Sequence, residues 1–136
     1  MLDKLLNLQI NDIIITGYTE QIDNVYLFRP MNWWAYLIVD KKIIEFFSDD
    51  GSIILKEVEK IGCNFDIEEN DLFTLTSITK ENLGIIQDIE YNYDNRKNLN
   101  KIVLKTSSMI ISFDALSIEG FQIKILPVVE NTDGEK

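Results

Sequence analysis

The strongest constraint on this chain is a two-residue apolar period that recurs through its second half. In "IIQDIEYNY", Ile85, Ile89, Tyr91 and Tyr93 share one face while Asp88, Glu90 and Asn92 take the other. "KIVLKT", "MIISFD" and "FQIKIL" repeat the alternation with Ile102 and Leu104, then Met109, Ile111 and Phe113, then Phe121, Ile123 and Ile125. Successive strand residues point to opposite sides, so each segment reads as a half-buried strand with these residues inward. The first half supplies "DIIITG", "NVYLFRP" closed by Pro30, "WWAYLIV" and "KIIEFF", and then "IILKEV" after the turn "SDDGS".

Short strands separated by turns specify a mainly β chain. The expected architecture is an antiparallel meander, closed as a small barrel or packed as a sandwich, with one to three short helices; α+β is the alternative. Candidate helical turns fall at "LDKLLNL", around Thr79 in "TKENLG", and after Asp114. Residues 53–61 read two ways. Leu55, Val58 and Ile61 have helical spacing with Gly62 suited to a helix end, whereas Ile53–Leu55 after Asp-Gly suit a hairpin return. The strand reading is favoured. No repeat or linker divides the 136 residues, so 1–136 reads as one domain, with 128–136 a flexible tail after Pro127.

Within "MNWWAYLIVDKKIIEFF" the strand period can be carried to individual pairs. If Asp40 and Lys41 form a two-residue turn, Val39 faces Lys42, Ile38 faces Ile43, Leu37 faces Ile44, Tyr36 faces Glu45, Ala35 faces Phe46 and Trp34 faces Phe47. One side of this hairpin, with Trp33, Ala35, Leu37, Val39, Ile44 and Phe46, is a core face. The other mixes Trp34, Tyr36, Ile38, Ile43 and Phe47 with Glu45. Adjacent tryptophans cannot both enter one core, so this second face is either covered or displays Trp34 and Tyr36 to a partner.

Charge is unevenly distributed. The net charge is −10; residues 48–95 hold twelve acids and three bases, while residues 96–136 hold five acids and six bases. "DIEEND" concentrates Asp66, Glu68, Glu69 and Asp71. Such a chain disfavours direct contact with nucleic acid, whose phosphates require Lys and Arg, and attracts a basic protein. The absence of histidine removes histidine bases, histidine triads and histidine metal ligands. A single cysteine, Cys63, leaves neither a thiolate zinc site nor an intrachain disulfide. The six glycines are scattered, so no phosphate-cradling loop is present, and "DDGS" lacks the ligand pattern of a calcium loop. No cofactor, metal site or catalytic activity is expected. Neither a signal peptide nor a membrane-length apolar run is evident, and the thiol count suits the cytosol.

A compact, acidic, single-domain profile without catalytic motifs is similar in type to small bacterial immunity proteins, which neutralise toxins passed between cells. The similarity lies in the whole profile and in no motif. It implies a cytoplasmic, non-catalytic inhibitor of a basic toxin, for example a nuclease. Its expected contact residues are Trp34, Tyr36, Glu45, Asp66, Glu68, Glu69 and Asp71. Alternatives are a small β-barrel holding an apolar ligand, with Trp33 or Trp34 lining it, and an accessory subunit of a larger assembly. A mimic of nucleic acid is a rival within the inhibitor class. The sequence does not specify the oligomeric state.

Overall fold

The computed structural model describes residues 2–79, 83–116 and 119–128. The turns considered at Lys80–Asn82 and Ser117–Ile118, and the tail from residue 129, lie outside the described residues. A 3₁₀ turn at Leu2–Leu5 precedes the first strands, β1 (Gln9–Ile22), β2 (Val25–Val39), β3 (Lys42–Asp49), β4 (Ser52–Val58) and β5 (Leu72–Ser77). These are followed by the short β6 (Gly84–Ile85), β7 (Asp88–Tyr93), β8 (Leu99–Lys105), β9 (Met109–Asp114) and β10 (Gln122–Pro127). All pairings are antiparallel.

Two sheets form, one ordered β4-β3-β2-β1-β5 with β6 also on β1, the other β10-β9-β8-β7. They face each other as a sandwich and do not close into a barrel. The turns that build the first sheet share one device. Asp23 and Asn24, Asp40 and Lys41, and Asp50 and Gly51 all have positive φ, as tight hairpin turns matched to strand twist require. The turn at Asp40-Lys41 sets the β2–β3 register expected from the sequence, from Val39↔Lys42 to Trp34↔Phe47. After Asp50-Gly51 the chain returns as strand, which resolves residues 53–58 in favour of β4.

The core lies between the sheets. Ile10, Ile13, Ala35, Leu37, Val39, Ile44, Phe46 and Ile53 of the first meet Ile102, Leu104, Ile111 and Phe113 of the second. Phe113 and Phe46 touch across the interface with ring centroids 4.6 Å apart. Met109, Ile123 and Ile125 are partly buried against this core, so the alternation read in β8, β9 and β10 is the one observed.

Two expectations are corrected. "IIQDIEYNY" is not one strand. Ile85 pairs with Gln9 in the first sheet, and the chain then crosses to the second, where Asp88 pairs with Lys105. The crossing reverses the apolar phase, burying Ile86 and leaving Ile85 half exposed. Pro30 does not close a strand either. β2 runs through it to Val39, because β3 pairs only with Trp34–Val39 and Pro30 sits where that edge is free.

The tryptophan pair sits in a deformation. Ile15 pairs with Ala35 but Gly17 pairs with Pro30, so Met31–Trp34 arch away from β1 opposite Thr16 alone. Gly17 permits the tight approach beside the arch, since a Cβ there would lie 2.2 Å from the Arg29 carbonyl oxygen. The arch is clasped to the second sheet by a 2.6 Å hydrogen bond from the Phe121 N–H to the Asn32 carbonyl. Gly120, at φ 102°, lets the chain pass there.

Candidate partner-binding surface

The face carrying Trp34, Tyr36 and Glu45 is roofed by the chain itself. From the end of β4 the segment 59–71 crosses the outer face of the first sheet to reach β5 at its far edge. Phe65 is its anchor. The Trp34 ring stacks on Phe47 at 5.2 Å and meets Phe65 at 5.7 Å, and Phe65 meets Phe73 at 5.8 Å. Trp34 is therefore half-buried in a second, smaller apolar cluster.

Tyr36 is not displayed; it is fully buried. Its hydroxyl donates to Glu45 Oε2 at 3.1 Å and accepts from Asn64 Nδ2 at 2.8 Å, while the same amide lies 3.1 Å from Glu45 Oε2. Desolvation, reinforced by the neighbouring Glu45 carboxylate, pushes the Tyr36 phenol well above its ordinary range. Tyr36 and Glu45 thus fix the strap to the sheet, so Tyr36 as a docking residue is corrected. The sequence shows polar partners for a buried face only as a scattered Tyr, Glu and Asn, and period alone cannot pair residues so distant.

The acidic residues lie on the strap's outward side. Asp66, Glu68 and Glu69 are exposed and Asp71 is half-buried, its N–H closing a turn onto the Glu68 carbonyl at 3.0 Å. The strap delivers them to the base of an arm. β5 begins at Leu72, opposite Thr19, and β3 stops at Trp34, so the β1–β2 hairpin beyond Thr19 projects without flanking strands. Its residues Ile22, Val25, Tyr26 and Leu27 are exposed, Tyr26 by 68%, as is Leu72 by 65%. Arg29 and Glu20 pair across the arm at 3.5 Å.

Exposed apolar side chains on an arm, beside four carboxylates, are what sequence reasoning missed. The available signal was "VYLF", apolar at consecutive positions, which no half-buried strand requires. No family model matches this chain, and no curated protein or solved structure is significantly similar to it.

Elsewhere the surface offers polar depressions. One of about 610 Å³ lies between Asp49, Asp50 and Ser52 and the loop Asp94–Asn98. Backbone N–H groups of Asn98 and Arg96 bond to the Asp94 carboxylate and hold its pKa below the ordinary value. Among the described residues no group of three His, Cys, Asp or Glu side chains is arranged to hold a metal ion, and no helix is long and apolar enough to cross a membrane.

Proposed function

We propose that this chain is a non-catalytic acidic binding protein that inhibits a basic protein by direct contact, acting in the cytosol in the manner of a bacterial immunity protein. The observation that carries the reading is the apolar arm set against the acidic end of the strap. Ile22, Val25, Tyr26, Leu27 and Leu72 are exposed, the register placing Tyr26 and Leu72 on one face of the arm and Ile22, Val25 and Leu27 on the other, and Glu68, Glu69 and Asp71 lead along the chain into Leu72. Apolar anchors bordered by charge suit a partner interface, where buried contacts hold the complex and charge steers its approach. The net charge of −10 supports a basic partner, which it would attract.

The test is titration of the purified chain with each basic protein found encoded beside it in its genome, read by calorimetry and by loss of any toxicity of that protein on co-expression; a neighbourhood without a basic protein that binds counts against the reading. The expected result is a stoichiometric complex, weakened by Tyr26→Asp and by Leu72→Asp while both variants keep the wild-type melting temperature. A complex indifferent to both substitutions would remove the arm from the interface.

A further inference from the structure

The sheets are unequal in extent. β8 contacts β4, Phe113 of β9 meets Phe46 of β3, and Phe121 at the head of β10 bonds to Asn32 of β2. β1 and β5 therefore lie past the last strand of the second sheet. At one end of β1, Leu83 and Ile86 join Ile10 and Ile13 in the core. Midway along β1, Ile15 and the nearby Ile78 face Phe121, Ile123 and Ile125 across an open groove of about 400 Å³, with Asn32 at its wall.

The backbone beside this groove has a definite polarity. The Phe121 N–H points away from β9 to the Asn32 carbonyl, whereas the Val128 N–H bonds on the β9 side, to the Ser108 carbonyl. Strand amides alternate in direction, so Ile123 and Ile125 direct their N–H and C=O groups to the free edge, and Gln122, Lys124 and Leu126 direct theirs to β9. Among the described residues β10 pairs with β9 alone. The Ile123 and Ile125 side chains are in register with Phe113 and Ile111, and so project into the groove while their amides face outward.

We propose that this edge accepts an extended peptide segment of a partner protein, apolar at alternate positions with a carboxylate between them. The segment becomes a fifth strand of the second sheet, burying its apolar side chains against Ile15 and Ile78 and pairing with the free amides of Ile123 and Ile125. The site is short. The Phe121 N–H is already engaged and Pro127 has no N–H, so the contact spans about five residues of ligand at roughly 3.3 Å each. The carboxylate answers Lys124, which is exposed on the outer face opposite Ser112 and has no ion pair among the described residues. A second copy of the chain fits poorly. Antiparallel pairing of Ile123 with Ile125 of a copy sets Lys124 against Lys124, and each chain carries −10.

This site stands apart from the arm, and its test needs no toxin. The ¹⁵N-labelled full chain is titrated, at millimolar concentration and physiological salt, with a capped ten-residue peptide alternating valine with threonine around one central glutamate. The expected result is saturable shifts centred on Ile123 and Ile125. A peptide with lysine in place of the glutamate should bind about two- to fivefold more weakly, the range for a cross-strand charge pair. Ile125→Pro, which removes an outward N–H without touching the β9 ladder, should abolish the shifts. A peptide N-methylated along its pairing edge should also fail, which keeps the test decisive if the proline variant misfolds. Shifts centred on another strand, no shift at millimolar peptide, or equal binding of the N-methylated peptide would overturn the proposal.

Discussion

Replacing Phe65 by alanine tests whether the strap is held by its aromatic anchor. A fully buried phenylalanine costs about 3–5 kcal/mol when truncated to alanine. Phe65 is only half-buried, which reduces the burial contribution to about half of that. It also makes two ring contacts, with Trp34 at 5.7 Å and Phe73 at 5.8 Å. Aromatic pairs of this kind contribute roughly 0.5–1.5 kcal/mol each, partly counted already in the burial. The expected loss is therefore about 2–3 kcal/mol, equivalent to a fall of roughly 1 M in urea midpoint for a typical slope of about 2 kcal/mol/M. Trp34 reports the same event locally. In a Trp33→Phe background, Phe65→Ala should shift native Trp34 emission to the red as its ring gains water. An unchanged midpoint together with unchanged emission would show that the strap does not cover Trp34 in solution, and would return that face to the list of open surfaces.

Phe113→Ala, which removes a fully buried ring between Phe46 and Phe121, should cost on the order of 3–5 kcal/mol in denaturant unfolding. Because the folded-state pKa of Tyr36 is raised above its unfolded value of 10.0, the unfolded chain releases that proton first. Its contribution to stability is complete below pH 10 and declines above it, by at most about 1.4 kcal/mol per pH unit. The urea midpoint of Tyr36→Phe should fall less steeply than wild type between pH 9 and 11, measured at intervals of about half a unit. Gly120→Ala places a Cβ 2.5 Å from the Asn32 backbone at a φ of 102°, and should lower stability by roughly 3 kcal/mol in the same assay. With the basic partner in hand, Glu68→Gln combined with Glu69→Gln should slow association and flatten its salt dependence in stopped-flow, while Leu72→Asp should speed dissociation.

Where one physical rule decides the outcome, the sequence was a sufficient guide. The period of two placed Ile102, Leu104, Ile111 and Phe113 inward, and the turn at Asp40-Lys41 set six cross-strand pairs. Both depend on neighbours within a few residues. The failures depend on what the chain does across space. Ile85 and Ile86 exchange roles because the chain changes sheets between β6 and β7, and alternation carries no mark of that crossing. Tyr36 looks available because the residue that caps it, Asn64, is 28 positions away in a segment whose visible character is acidity. The acidic segment and the aromatic face were both legible as unusual; that one is the roof of the other was not.

The strap also determines the order in which the molecule can assemble. β1 to β4 are joined by two-residue turns, so their pairings close small loops and form early. β5 pairs with β1 only after the chain has returned from more than fifty residues away, as the Thr19–Thr74 contact shows with a separation of 55. Until it does, Phe65 has no sheet edge to lead to, and Trp34, Phe47 and Phe73 lack their cover. An early four-stranded meander thus has two sticky faces where the finished protein has one core and one roof. The inner face is covered only when β7–β10 dock and the outer face only when the strap closes, so a newly made chain stays vulnerable to aggregation until both of these long-range steps are complete.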